Sequence, residues 1–239
     1  MEKYYSFAQE LIDKGFAFIC TCKKQDEDDS EIHQKREPCN CRKNSIKENQ
    51  SGWKKMLSKK GFKEGEAVLR FKTPDLTLTN PELIDFQLAR INLTKHPKQG
   101  KKYKVWPLMN LCVTYDDMGQ KCTHIIRGKE HADNAKRQGM IFDALKIKQP
   151  HTYFLGKYKF TDLEISKTKI GERIAKGEFS GWDDIRLPLL RNFKRRGYSP
   201  EAFAKMAEQR GLSSVDKVIT KEDLFKILDN FNRKIIREK

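Results

Sequence analysis

An α/β fold is predicted for this chain of 239 residues, and three observations carry the prediction. Residues 105–155 run in a strand, loop, helix order, with apolar runs alternating with a stretch of helical periodicity. Ahead of them lies a mixed α+β segment interrupted by paired cysteines. Behind them, from about Arg186, helix follows helix to the C-terminus. The central order is that of half an α/β nucleotide-binding domain, whose functional loops leave the C-terminal ends of the strands.

Each element has a local cause. In "EKYYSFAQELIDK" the residues Tyr4, Tyr5, Ala8, Leu11 and Ile12 recur at helical spacing, and Gly15 supplies a stop. "FAFIC" reads as a short strand leading into the cysteines. "SGWKKMLSKKGF" reads as a short amphipathic helix, and the β-branched and aromatic content of "EAVLRFKT" predicts a strand. "PDLTLTNPELIDFQLARINL" continues as short strands punctuated by prolines. "VWPLMNLCVTYDD" and "CTHIIRG" are apolar runs predicted as buried strands of an open sheet, with Asp116 and Asp117 in a turn or sheet-end structural role. "EHADNAKRQGMIFDALKI" predicts a helix and "HTYFLGKY" a further strand. Downstream, Pro200 after Ser199 marks a helix start, and Ser213 or Thr220 caps later helices.

Lysine and arginine total 49 against 33 acidic residues, a formal net charge of +16, so an anionic partner is favoured and nucleic acid is the first candidate. No run of apolar residues approaches a membrane span, and "MEKYYSFAQE" has no signal-peptide pattern; the expectation is a cytoplasmic chain with no membrane partner. Of six cysteines, four stand as C-T-C and C-N-C: Cys20, Cys22, Cys39 and Cys41, with sixteen residues between the inner two. Soft thiolates converging from two short turns suit tetrahedral zinc, and His33 in the intervening loop is a possible substitute ligand. That loop is too polar to bury free thiols.

Several long motifs, in one order along essentially the whole chain, resemble glutamyl-tRNA synthetase of the archaeal and eukaryotic type. They are "YYSFAQELIDKGFAFICTC", "LRFKTPDLTLTNPELIDFQLARI", "VWPLMNLCVTYDDMGQKCTHIIRGKEHADNAKRQ", "ISKTKIGERIAKGEFSGWDDIRLPLLRNFKRRGYSPEA" and "NRKII". Glutaminyl-tRNA synthetase shares several of these blocks, but its strand after T-H is similar to S-L-C-T-x-E-F, where this chain has "THIIRGKEH". Arg127 favours glutamate, because a guanidinium fork binds both oxygens of a carboxylate while an amide offers one acceptor.

The resemblance implies the second half of a class I Rossmann-type catalytic domain (105–160), preceded by an inserted α+β connective domain that binds the tRNA acceptor stem and carries the cysteine knuckle (1–104). A K-M-S-K-S-like loop and helical stem-contact region follow (161–239). It implies ATP with Mg2+ as substrate, glutamate and tRNA(Glu) as partners, and a structural zinc held by the four cysteines. Lys167, in "EISKT", stands in the place of the lysine that stabilises leaving pyrophosphate, beside Ser166. Glu164 departs from the motif's first lysine, and Lys169 shares or takes the role. Arg127 meets the glutamate side chain, Glu130 and His131 lie near ATP or its ribose, and Met109 and Asn110 stand where bacterial members carry a pocket-lining Tyr-His pair. Trp182, Asp183, Asp184 and Arg186 anchor the loop, and Arg191, Lys194, Arg195 and Arg196 form a phosphate-facing stripe. No H-x-G-H occurs, so the expectation is a fragment or split half, inactive until an N-terminal half supplies that motif. The alternatives are a non-catalytic tRNA-binding module or a fragment of glutaminyl-tRNA synthetase.

Overall fold

The computed structural model describes residues 1–22 and 39–238. They fall into two compact units, one of residues 1–125 with 130–152, the other of 126–129 with 153–239.

The first unit is built on a four-stranded antiparallel sheet in the order β1 (Ala17–Cys20), β2 (Val68–Phe71), β3 (Gln87–Ile91), β4 (Val105–Pro107). Its register sets Cys20 opposite Val68, Val68 opposite Arg90 and Ile91 opposite Val105. Helix α1 (Glu2–Asp13) buries Phe7, Ala8, Leu11 and Ile12, and Gly15, at φ +75°, turns the chain into β1. Helix α2 (Ile46–Leu57) opens on a capping box: the Glu48 N–H donates to Ser45 Oγ at 3.3 Å and the Ser45 N–H to the Glu48 carboxylate at 2.6 Å. Trp53 and Met56 of that helix are buried with Leu69, Phe71 and Leu88 of the sheet.

The run "VWPLMNLCVTYDD" departs from its expected strand. Only Val105–Pro107 pairs in the sheet; from Met109 to Gly119 the chain is helix α3, which carries Asp116 and Asp117. Leu111 of α3 is buried in the core and Tyr115 and Met118 pack against it, spaced for a helix. Asp116 accepts from the Tyr4 hydroxyl at 2.9 Å, so its structural role is on a helix rather than a turn. "CTHIIRG" does form a strand, β5 (His124–Gly128), but it is half-exposed, not buried. It pairs with β6 (His151–Leu155) in a two-stranded sheet, and α4 (Ala132–Ala144) lies between them in sequence. Of the proline-rich stretch, only Gln87–Ile91 is a strand; Pro81–Leu83 is a 3-10 turn.

In the second unit β7 (Tyr158–Phe160) pairs in parallel with β8 (Lys217–Ile219), a strand absent from the all-helical expectation. Parallel pairing needs a long crossover, and α5 (Lys167–Ala175), α6 (Leu190–Arg195) and α7 (Pro200–Arg210) lie along it. With α8 (Lys221–Glu238) they enclose a core of Phe193, Ala202, Met206, Ile219, Leu224 and Leu228. Gly156 permits a close crossing: a Cβ there would stand 2.3 Å from the Val215 carbonyl oxygen.

A candidate phosphate-handling site and its anchor

Helix α5 starts at Lys167 with Ser166 as its cap, so "ISKTKIGER" is a helix N-terminus rather than a free loop. The cap is held from behind: the Ser166 N–H donates to Glu164 Oε1 at 2.8 Å, and Lys169 Nζ pairs with Glu164 Oε2 at 3.2 Å. The Ser166 backbone bond, then Lys169, holds the Glu164 carboxyl below its usual range. Lys167 is exposed and has no ion pair among the described residues. The first turn therefore carries two lysines and no acid, where the helix dipole already presents positive charge. Such a terminus opposes its own cations and gains from an oxyanion bound to its free N–H groups.

Behind α5 sits a densely hydrogen-bonded segment, in which Asn192 Oδ1 is nevertheless buried without a hydrogen-bond partner among the described residues. The Asp184 side chain is buried and receives the Ser180 N–H at 3.1 Å and hydroxyl at 3.3 Å, and the Arg186 N–H at 3.0 Å. The Arg186 fork grips both its oxygens, Nε on Oδ1 at 2.9 Å and Nη2 on Oδ2 at 2.6 Å. The Arg186 side chain, then the backbone bonds from Arg186 and Ser180, holds the Asp184 carboxyl well below the ordinary carboxylate range. Asn192, fully buried, donates through Nδ2 to the carbonyls of Asp184 at 2.8 Å, Trp182 at 3.3 Å and Leu187 at 3.4 Å. The Trp182 ring lies over Gly171 of α5, where an added Cβ would sit 3.6 Å from the indole. The path from Asn192 to Trp182 to α5 was not anticipated from sequence; an asparagine inside a basic helix gave no signal of it.

The expected phosphate-facing stripe is largely committed to this anchor. Arg191 pairs with Asp183, Arg195 donates to the Asp183 carbonyl, and Arg196 donates to the Ile185 carbonyl and lies over the Phe193 and Phe225 rings. Lys194 is exposed, without an ion pair among the described residues. Asp216 was also missed. Its carboxylate bridges Lys129 Nζ at 2.7 Å and Lys159 Nζ at 2.9 Å and accepts the Lys157 N–H at 2.9 Å.

Of the residues expected to line a substrate pocket, Met109 is exposed at the first turn of α3, while Asn110 is buried and its Oδ1 accepts from Gln138 Nε2 at 3.3 Å. Arg127 is half-buried on β5 in the second unit, whereas Met109, Asn110, Glu130 and His131 belong to the first. Glu130 and His131 are exposed just ahead of α4, and His131 Nδ1 lies 3.3 Å from the Asn134 amide.

The cysteines converge. Sγ of Cys20 lies 3.6 Å from that of Cys39 and Sγ of Cys22 3.7 Å from that of Cys41, and all four sulfurs fall within 4.8 Å of one another. A tetrahedron of Zn–S bonds near 2.3 Å has edges of roughly 3.8 Å, so the set fits zinc. Burial, then the bonds to Cys41 and Cys20, pushes the Cys22 thiol up to about 12, and a divalent cation would reverse that cost. Arg42, beside the knuckle, pairs with buried Asp85, whose carboxylate also accepts the Thr73 N–H at 3.1 Å; burial raises the Asp85 carboxyl and Arg42 opposes the rise. His33 lies outside the described residues.

Residues 1–238 match the family described as tRNA synthetases class I (E and Q), catalytic domain. The chain belongs to that family. Among curated members, the glutamate–tRNA ligase of Methanothermobacter thermautotrophicus is 37% identical over 238 residues, covering 100% of this chain and 41% of the relative. That of Pyrococcus horikoshii is 40% identical over 237 residues, covering 99% and 40%. This family member thus spans about 40% of the length of those relatives. In fold it is similar to the glutamate–tRNA synthetase of Elizabethkingia anophelis, with a TM-score of 0.54 at 14% identity over 98% of this chain and 54% of that one. No helix among the described residues is long and apolar enough to cross a membrane.

Proposed function

We propose that this chain is the central part of a cytoplasmic glutamyl-tRNA synthetase, which activates glutamate with ATP and transfers it to the 3′ end of tRNA(Glu). The carrying observation is the start of α5: a capped helix N-terminus with Lys167 exposed and without an ion pair among the described residues. Attack of the glutamate α-carboxylate on the α-phosphorus of ATP forms the acyl-adenylate and expels pyrophosphate. Lys167 and the first-turn N–H groups of α5 stabilise the charge on that leaving group, with Ser166 fixing the turn and Lys169 held in reserve by Glu164. ATP arrives with Mg2+, which supplies charge neutralisation on the phosphates.

Arg127 binds the glutamate side-chain carboxylate, and Glu130 and His131 lie toward ATP. Asn110, with its oxygen already engaged by Gln138, shapes the pocket wall rather than gripping substrate. Lys194, with the arginines 191, 195 and 196 that brace the anchor, approaches tRNA phosphates. The division of labour is a connective region (1–104), a half nucleotide fold (105–160) and the α5 and stem-contact region (161–239). Cys20, Cys22, Cys39 and Cys41 hold a structural zinc that does no chemistry; metal analysis should return one zinc per chain.

An H-x-G-H-bearing segment, absent from the 239 residues, completes the ATP site. The test is ATP–pyrophosphate exchange after mixing this chain with one carrying that motif. Exchange that depends on glutamate supports the proposal; exchange with glutamine alone, or tRNA retention with no exchange under any mixture, overturns it.

A further inference from the structure

The turn that follows β5 carries three of the residues proposed to meet substrate. Arg127 stands on the strand, and Glu130 and His131 lie in the short 3-10 turn Lys129–His131. Only Gly128 separates Arg127 from Lys129. Ahead of Tyr153, the stretch Ile126–Lys129 belongs to the second unit, and its last residue is the one that Asp216 takes hold of.

Asp216 comes from a segment whose course is fixed before its side chain is counted. The Gly156 N–H donates to the Ser213 carbonyl and the Lys217 N–H to the Lys157 carbonyl, each at 2.9 Å, and the Val215 N–H donates to Ser213 Oγ at 3.3 Å. Arg210 Nη2 donates to the Val215 carbonyl at 2.8 Å, with its guanidinium 4.3 Å from the centre of the Tyr158 ring. On this base Asp216 Oδ1 accepts from Lys129 Nζ at 2.7 Å and from the Lys157 N–H at 2.9 Å, while Oδ2 pairs with Lys159 Nζ at 2.9 Å. The Asp216 side chain is 18% exposed and that of Lys129 43%, so the aspartate is the fixed partner and the lysine the one held. Lys129, then Lys159, then the Lys157 N–H hold the Asp216 carboxyl well below its ordinary range, and it is ionised at neutral pH.

We propose that Asp216 is a positioning residue for glutamate recognition: by holding Lys129 it fixes the turn that presents Arg127 and keeps a second cation off the substrate carboxylate. The proposal rests on Arg127 meeting that carboxylate and goes beyond it in naming what aims the guanidinium. A guanidinium engages both carboxylate oxygens only when its fork is aligned with them, whereas a released lysine two residues away competes for one oxygen as a point charge. Glutamate binding therefore depends on Asp216, and charge stabilisation on pyrophosphate, which falls to Lys167, does not.

The test is glutamate-dependent ATP–pyrophosphate exchange in the mixed pair, with kcat and the KM for glutamate separated. Asp216→Asn should raise that KM about fivefold and leave kcat and the KM for ATP unchanged, the upper end of what a partly exposed pair supports. Lys129→Ala should raise it less, because the turn is released without freeing a cation, and the double variant should match Lys129→Ala rather than add to it. Lys159→Ala, which strips a different donor from the same carboxylate, should leave the KM unchanged. In the chain alone, hydrogen–deuterium exchange of the amides of residues 126–131 should quicken in Asp216→Asn and not in Lys159→Ala. A loss of kcat at unchanged KM, an equal KM rise in Lys159→Ala, or identical amide protection in wild type and Asp216→Asn overturns the proposal. A wild-type pair without glutamate-dependent exchange overturns the catalytic reading and this proposal with it, whereas the variant outcomes strike the proposal alone.

Discussion

The start of α5 and the Trp182–Leu187 segment behind it are neighbours in the second unit with opposite chemistry. The first presents two lysines at a helix terminus that repels them, with one of the two held by Glu164. The second packs a buried carboxylate with five donors and a buried amide on three carbonyls. A group that must meet charge appearing only in a transition state is best left incompletely satisfied, whereas the part that aims it must not move. The difference separates a working terminus from its mount.

The mount should show the largest loss of stability when broken. Asn192→Ala removes a side-chain donor to three carbonyls at a fully buried position, and about 1–3 kcal/mol of stability should disappear in denaturant unfolding of the second unit. Asn192→Asp is isosteric but turns a carboxylate toward those carbonyls, so it should cost more than alanine; an equal or smaller loss would mean that the amide only fills space.

Acid should come next. The folded-state pKa of Asp184 is depressed, so its contribution is complete above the unfolded value near 4 and is lost as pH falls below that value toward the folded one. Unfolding should therefore steepen below about pH 4 in the wild type, and Asp184→Asn should start less stable and lose part of that acid dependence. An acid limb identical in the two proteins would remove Asp184 from the account.

Glu164→Gln tests the working terminus and should have the smallest effect on stability. Lys169 is exposed and Glu164 half-buried, so the pair is well solvated and melting should hardly shift, while release of Lys169 should change exchange in the mixed pair by only a few-fold. A large loss of exchange would make the Glu164–Lys169 pair, and not Lys167, the centre of the site.

Much of this was legible from residue patterns. The α1 and α2 periodicities, the β1 and β2 runs and the paired cysteines all depend on local spacing, and the structure bears them out as elements and as a convergent sulfur set. The run after Pro107 misled because a short apolar stretch fits strand or helix equally; the packing of Leu111, Tyr115 and Met118 decides for helix, and that requires knowing where the core lies. Strand β8 was hidden because Lys217–Ile219 is too short to show periodicity and exists only through its pairing with β7. The commitments of Arg191 and Arg195 to Asp183, of Asp216 to Lys129 and Lys159, and of Asn192 to three carbonyls are long-range pairings, which no pattern of neighbours in sequence reveals.

The central claim is that Lys167 carries charge stabilisation at a terminus whose fold does not depend on it. The direct measurement is glutamate-dependent ATP–pyrophosphate exchange in the mixed pair, comparing wild type with Lys167→Ala at matched thermal stability. A loss of about 10²–10³-fold in exchange with unchanged melting is predicted, the size of effect expected when a preorganised charge-stabilising group is removed. Exchange that survives Lys167→Ala, and survives Lys169→Ala added to it, would contradict the account.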